Sequence, residues 1–199
     1  MTNGRSGSGS ARPSLVARAI ASLVGHWRLC AAFVGAVVLG VAIMGAWVTT
    51  IEHTNHTSFC ITCHVMRDTV YVEYQQSKHF KNAYGVAVGC PDCHVPQYSW
   101  IDEALIKVQT VNELYAYFIR GITTAEAFTP ERARLAQNTW AHFKATNARE
   151  CRHCHDYGNM VLAEQTEAAR LVHPVAMKTD QNCVDCHKGV VHQIPPGAE

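Results

Sequence analysis

The first fifty residues contain no Asp or Glu, and the twenty residues from Leu29 to Val48 carry no charge of either sign. An uncharged apolar stretch of this length forms a helix of about 30 Å, which matches the hydrocarbon core of a bilayer. It is too long for the apolar part of a cleaved signal peptide. A helix buried in a soluble protein is the alternative, and it fits this length less well. The sequence therefore predicts a single, permanent membrane anchor.

The chain also lacks a strong net charge, with 17 basic and 16 acidic residues, which argues against a nucleic-acid partner. The basic residues near the anchor all precede it: Arg5, Arg12, Arg18 and Arg28. Positive charge on one flank predicts that this flank stays in the cytoplasm. We therefore expect a cytoplasmic tail (1–26), an anchor (27–50) in a bacterial inner membrane, and a periplasmic domain (51–199).

Eight of the nine cysteines fall in four copies of one pattern, Cys-x-x-Cys-His. The copies are Cys60-x-x-Cys63-His64, Cys90-x-x-Cys93-His94, Cys151-x-x-Cys154-His155 and Cys183-x-x-Cys186-His187. Cysteines at this spacing can reach both vinyl groups of one porphyrin, and the adjacent histidine can then face the iron. The pattern predicts four covalently bound haem c groups.

Other cysteine chemistries explain this pattern less well. Zinc ribbons use paired Cys-x-x-Cys motifs but need no histidine after each pair, and redox motifs usually occur singly. A disulfide framework would not place a histidine after every second cysteine. We therefore predict a mainly α-helical protein, in which four porphyrins supply most of the apolar interior of a small domain.

The four motifs form two pairs, because Cys60 to Cys90 and Cys151 to Cys183 are similar distances in the sequence. This repeat predicts two pseudo-repeated halves with two haems each. In both halves a histidine, His79 or His173, precedes the second motif at nearly the same distance. A surface histidine has no reason to repeat its position, so both are predicted to be distal iron ligands.

The number of histidines leaves one iron short of a ligand. Four haems with two axial ligands each need eight, and the motif histidines with His79, His173 and His192 supply seven. His192 follows the last motif, whereas the matching position in the first half is Ser99. The missing ligand therefore belongs to the first half.

The stretch between the two pairs of motifs, from residue 99 to residue 147, predicts two helices. Apolar residues recur every three or four positions from Ile101 to Phe118, and Gly121 could end that helix. Thr129-Pro130-Glu131 is typical of the start of a second helix.

These features together resemble the NapC/NirT family of membrane-anchored tetrahaem cytochromes c. The resemblance rests on the anchor and on the segments FCITCHVMRDTVYVEY, SKHFKNAYGVAVGCPDCHVP, LAQNTWAHFKATNARECRHCHD and NCVDCHKGVVHQIP. It implies an electron-transfer protein that oxidises a membrane quinol, either menaquinol or ubiquinol, and feeds a periplasmic reductase. Nitrate reductase is the expected partner and nitrite reductase the alternative. A terminal multihaem enzyme that itself reduces nitrite fits less well, because the chain has no Cys-x-x-Cys-Lys motif.

The resemblance also implies a set of iron ligands. Met66, two residues after His64, would bind the first iron in place of that histidine and leave the opposite face for quinol. His79 would bind the fourth haem, His192 the third and His173 the second.

Lys107 and Glu113 are candidates for the quinol pocket. They lie six residues apart on the first predicted helix after the second motif. A carboxylate could accept a proton released by quinol, and a lysine could polarise a quinone oxygen. The resemblance matches Lys107 to a family lysine but leads us to expect Asp at the acidic position, so Glu113 is a departure. Charges on a solvent-facing helix are the alternative explanation.

Overall fold

The structure, a computed structural model, describes residues 14–198, so that the first half of the predicted tail, residues 1–13, lies outside the described residues. The described chain divides into a unit that ends at Glu52 and a second unit that begins at His53. The locations predicted for the tail and for the domain stay predictions.

One helix, α1 (Leu15–Thr54), makes up almost all of the first unit. The Ser14 hydroxyl accepts a hydrogen bond from the Ala17 amide at 3.2 Å and so supports the first turn. The helix has 40 residues, none of them buried, and an 18-residue window within it has a mean hydropathy of 2.4, so it is long and apolar enough to cross a membrane. It extends beyond the predicted anchor at both ends, because the flanking residues continue the helix without continuing the apolar run.

The second unit consists of short helices and connecting loops, and no strand occurs between residues 14 and 198. Its helices are α2 (Thr57–Cys60), α3 (His64–Asp68), α4 (Val70–Gln75), α5 (Cys90–His94), α6 (Trp100–Gln109), α7 (Val111–Phe118), α8 (Ala125–Phe128), α9 (Arg132–Ala145), α10 (Arg149–Cys154), α11 (Glu167–Lys178) and α12 (Cys183–Cys186). Short 3₁₀ turns occur at Thr129–Glu131, Tyr157–Asn159 and Leu162–Glu164. The prediction of a mainly α-helical protein is confirmed.

Three of the four Cys-x-x-Cys motifs lie within a single short helix, namely α5, α10 or α12. Residues three apart on a helix share one face, so both cysteines of each motif project to the same side. The first motif differs, because Cys60 ends α2 whereas Cys63 caps the start of α3. His64 and Met66 therefore share the first turn of a new helix.

The first helix predicted between the two pairs of motifs is interrupted. It divides at Thr110, which ends α6 and caps α7. The Thr110 side chain donates to the Ile106 carbonyl at 2.8 Å, the kind of local bond by which threonine competes with regular helix geometry. Gly121, which has a φ of +72°, lies beyond the end of α7.

The predicted start of the second helix is wrong. Thr129–Glu131 forms a 3₁₀ turn, and α9 begins at Arg132. The cap lies earlier, where the Thr124 side chain accepts a hydrogen bond from the Ala127 amide at 3.4 Å and begins α8. Because Pro130 has no amide hydrogen, it fits in the turn that joins the two helices.

Few apolar side chains of the second unit are fully buried by the polypeptide itself. The buried apolar residues are scattered along the chain: Val65, Tyr74, Phe128, Ala148, Val184 and Ala198. A domain of this size with so small a core needs another source of cohesion.

We therefore expect the chain made without haem attachment to lack a cooperative thermal unfolding transition. Circular dichroism during heating would measure this, with the haem-loaded protein as the control. A haem-free second unit that is compact and melts cooperatively would contradict the expectation.

Candidate haem centres

Six of the predicted iron ligands meet in three pairs of facing imidazole rings. The ring centroids are 6.2 Å apart for His79 and His155, 6.3 Å for His94 and His192, and 5.9 Å for His173 and His187. With iron–nitrogen bonds of about 2 Å, two rings that bind one metal ion from opposite sides have centroids about 6 Å apart. The three pairs therefore fit two-sided binding of a haem iron.

The pairing differs from the one that the resemblance implied. His79 faces the third motif and not the fourth, His192 faces the second and not the third, and His173 faces the fourth and not the second. These ring contacts do not match the expected order of ligands, and the assignment of each histidine to an iron stays a prediction. His173 stays within its own half, because α11 is followed after a short turn by α12.

A polar cluster on α4 and α9 lies beside His192. The Glu73 carboxylate accepts hydrogen bonds from Arg132 at 2.9 Å and from the Gln193 amide at 3.1 Å, and it lies 3.8 Å from Nδ1 of His192. Both partners of the Glu73–Arg132 ion pair are largely shielded from solvent. This cluster brings the C-terminal segment back to the second motif.

Gln165 orients the ring of His173. The Nδ1 of His173 donates to Oε1 of Gln165 at 2.6 Å, which leaves Nε2 of His173 with a free lone pair for a metal. Neither residue belongs to a Cys-x-x-Cys-His motif. Glu73 lies in one of the segments that carry the family resemblance, but no spacing or periodicity in the sequence indicates the role of Glu73 or Gln165.

Burial keeps several of these imidazoles neutral, as metal binding requires. Burial, helped by the neighbouring His155, lowers the pKa of His79. His94 is surrounded by protein although its cleft admits solvent, and burial, helped by His192, lowers its pKa to about 4. Burial likewise lowers the pKa of His192.

The first motif has no such pair, and its histidine is engaged elsewhere. His64 is exposed, and the Arg67 guanidinium lies 2.8 Å from its Nδ1. A guanidinium can only donate, so Nδ1 accepts and the proton of the neutral ring lies on Nε2. That proton occupies the nitrogen that would bind iron. This arrangement favours Met66, which is half-buried two residues later on α3.

The motifs follow one another in space in the order of the sequence. The backbone amide of Cys90 donates a hydrogen bond to the Thr57 hydroxyl of α2 at 3.1 Å, and the interaction of Cys90 with the Cys60 thiol raises the pKa of Cys60 and lowers that of Cys90 to about 6. Burial, helped by the neighbouring Cys151, raises the pKa of Cys93 to about 11, and burial with the neighbouring Cys183 does the same for Cys151. The first motif therefore adjoins the second, the second the third, and the third the fourth.

Lys107 lies near the first motif. Its Nζ donates to the carbonyl oxygen of Thr54 at 3.2 Å and to the Thr54 hydroxyl at 2.9 Å. Burial lowers the pKa of Lys107, and the nearby Cys60 and Glu103 partly oppose this effect. The amine is thus half-buried beside the place where the first haem would be attached.

The acid beside Lys107 is Glu103 and not Glu113. Glu103 lies one helical turn earlier on α6 and accepts a hydrogen bond from the side-chain amide of Asn55. Glu113 lies on α7, where it is exposed. The expectation that Lys107 and Glu113 share one helix is wrong, because the helix divides between them. The four-residue spacing of Glu103 and Lys107 was the signal available in the sequence.

Comparison with known proteins identifies a single family. The sequence model of the NapC/NirT cytochrome c family, N-terminal region, matches residues 24–197. The denitrification system component NirT of Stutzerimonas stutzeri is 40% identical over 161 residues, which cover 81% of this chain and 80% of that protein. The cytochrome c-type protein NapC of Escherichia coli K12 is 40% identical over 156 residues, 78% of each chain.

A longer relative is equally similar over the shared region. The cytochrome c-type protein TorC of Escherichia coli K12 is 42% identical over 172 residues, which cover 85% of this chain but 43% of that protein. No solved structure matches.

The new pairing can be tested by combining substitutions. His79→Ala should leave one haem without its distal ligand and so raise the number of high-spin haems by one, as measured by electron paramagnetic resonance against the unaltered protein. Adding His155→Ala should not raise this number further, because both residues serve the same iron, whereas adding His187→Ala should raise it by one more. The opposite pattern would support the fourth haem as the partner of His79. Mass spectrometry of the attached haems is the control.

The first motif allows a direct comparison of two candidate ligands. Met66→Leu should change the spin state of one haem, whereas His64→Ala should leave the spectrum unchanged, since the His64 ring is directed to Arg67. Absorption and magnetic circular dichroism spectra would measure both. The reverse result would assign the first iron to His64.

Proposed function

Because the chain belongs to the NapC/NirT cytochrome c family, we propose that it is a membrane-anchored tetrahaem cytochrome that oxidises quinol and passes the electrons to a periplasmic reductase. The three facing histidine pairs carry this proposal. Saturated, two-sided ligation suits an iron that exchanges electrons and leaves no position for a substrate. The first motif differs from the other three, because its histidine, His64, contacts Arg67 and faces no second histidine within the described residues.

Four pairs of cysteines would hold the porphyrins by thioether bonds: Cys60 and Cys63, Cys90 and Cys93, Cys151 and Cys154, and Cys183 and Cys186. The irons would be held by Met66 at the first motif, His94 with His192 at the second, His155 with His79 at the third, and His187 with His173 at the fourth. Haem c, when bound, supplies an iron that accepts one electron at a time. The peptide supplies the ligands and excludes water.

The quinol headgroup would bind beside the first motif. Quinol that becomes quinone loses two electrons and two protons, so the protein must accept protons at the point of oxidation. Glu103 would accept the two protons at its carboxylate one after the other and release each to water, and the Lys107 amine would donate a hydrogen bond to a quinone oxygen. Both residues lie close to Thr54, where α1 ends, and a quinol confined to the membrane would reach them there. The role predicted for Glu113 stays a prediction.

The anchor would lie in the inner membrane with the N-terminus in the cytoplasm, following the arginines that precede it. The second unit would then face the periplasm. Nitrate reductase is the first candidate for the electron acceptor and nitrite reductase the second, as the resemblance implied, and the NirT and NapC relatives are equally similar to this chain. Menaquinol and ubiquinol both fit the chemistry of the site.

Substitutions at α6 test the quinol site. Lys107→Ala and Glu103→Gln should each slow reduction of the haems by menaquinol or ubiquinol, by about tenfold or more if each residue assists proton transfer or charge stabilisation. Reduction by dithionite should be unchanged, because it does not use the pocket. Stopped-flow absorbance of membranes would measure both rates.

Two controls make this comparison specific. Lys178→Ala removes an exposed lysine of α11 and should behave like the unaltered protein. Glu113→Gln separates the two acids: a slow Glu113→Gln beside a normal Glu103→Gln would return the proton-accepting role to Glu113. The purified protein should also consume no nitrite until a reductase is added, and substantial turnover by the protein alone would favour the terminal enzyme.

A further inference from the structure

The helices α6 and α7 present a continuous apolar surface to solvent. We call it the α6–α7 apolar face. It comprises six side chains that are 52–71% exposed: Ile101, Leu105, Val108, Val111, Tyr115 and Phe118. An exposed apolar patch of this extent usually marks a surface that contacts another molecule or a membrane.

The polarity of α6 is the reverse of that of a soluble surface helix. Its charged side chains turn toward the protein, where Asp102 lies 3.4 Å from Arg149 and Lys107 contacts Thr54. Its apolar side chains turn outward. A helix at a protein–water boundary normally buries its apolar side, so water is not the natural environment of this face.

The apolar face also points away from the haem attachment sites. With 3.6 residues per turn, Leu105 and Val108 lie on roughly the opposite side of α6 from Glu103. Glu103 and Lys107 are the residues on the side of Asn55 and Cys60. A haem attached through Cys60 would therefore lie on the other side of α6.

The contacts of α6 indicate what covers the face. Lys107 donates hydrogen bonds to Thr54, the last residue of α1, and Glu103 accepts one from the side-chain amide of the next residue, Asn55. The uncharged run of α1 ends at Val48, about 9 Å along the helix before Thr54. That distance is close to the thickness of the headgroup layer of a bilayer. The residues to which α6 is hydrogen-bonded, Thr54 and Asn55, would therefore lie at the depth of a membrane surface.

We propose that the α6–α7 apolar face lies in the interfacial layer of the membrane, in the leaflet where α1 ends, and forms a second lipid contact beside the anchor. Tyr115 and Phe118 have the amphipathic or aromatic character found at this depth, and the alternation of apolar and charged sides is that of interfacial helices. This contact is independent of quinol oxidation. It would hold the second unit in a defined orientation on the bilayer.

Photocrosslinking of the full-length, haem-loaded protein in phosphatidylcholine vesicles tests the proposal. Benzoylphenylalanine replaces Leu105 in one variant and Tyr115 in a second. Leu171 of α11, which is 71% exposed, gives the matched control on a different helix. After irradiation, the first two variants should carry a phosphatidylcholine adduct by mass spectrometry, and the control should not. An unchanged haem spectrum verifies the fold of each variant.

Two outcomes would overturn the proposal. A product of twice the protein mass from the Leu105 and Tyr115 variants, without a lipid adduct, would show that a second copy covers the face. Lipid adducts no more abundant than in the Leu171 variant would show that lipid does not. Leu105→Gln with Val108→Gln should remove the adduct from the Tyr115 variant and leave dithionite reduction of the haems unchanged.

Discussion

Two imidazoles that bind one iron must approach it from opposite sides, and this constraint connects parts of the chain that are distant in the sequence. His79 comes from the first half and faces the third motif, while His192 comes from the C-terminal segment and faces the second. With few buried apolar side chains, the second unit has little else to join its two halves. The cluster of Glu73, Arg132 and Gln193 supports one of these connections from outside. In the proposed function each haem would therefore be both cofactor and core.

The first motif is free of this constraint, which suits a different role. Its two cysteines lie on two helices instead of one, and its histidine faces Arg67. The same motif adjoins Lys107 and, through it, the end of α1. The proposed site of quinol oxidation, the end of the anchor and the α6–α7 apolar face thus meet in one region. The other motifs adjoin one another in sequence order, which in the proposed function would suit the transfer of electrons from one haem to the next.

The accuracy of each prediction depended on how local its physical cause is. The Cys-x-x-Cys-His spacing and the apolar run are local, and the helical class with one long apolar helix is confirmed. The division of the helix at Thr110 depends on a single side-chain hydrogen bond, which periodicity alone does not reveal. For the same reason the prediction that Lys107 and Glu113 share one helix was wrong, because that helix divides between them.

Cysteine spacing and histidine position are enough to predict which residues could serve as ligands, because both follow from local chemistry. The anchor is also predictable from the sequence, because bilayer thickness sets the length of an apolar helix. Which histidines face each other is visible in the tertiary structure alone. The repeat suggested equivalent roles for His79 and His173. However, His79 faces a motif of the other half of the domain, whereas His173 faces a motif of its own half. That choice depends on loop lengths and on contacts such as those of Glu73 with the C-terminal segment, and long-range contacts of this kind leave no periodic signal in the chain.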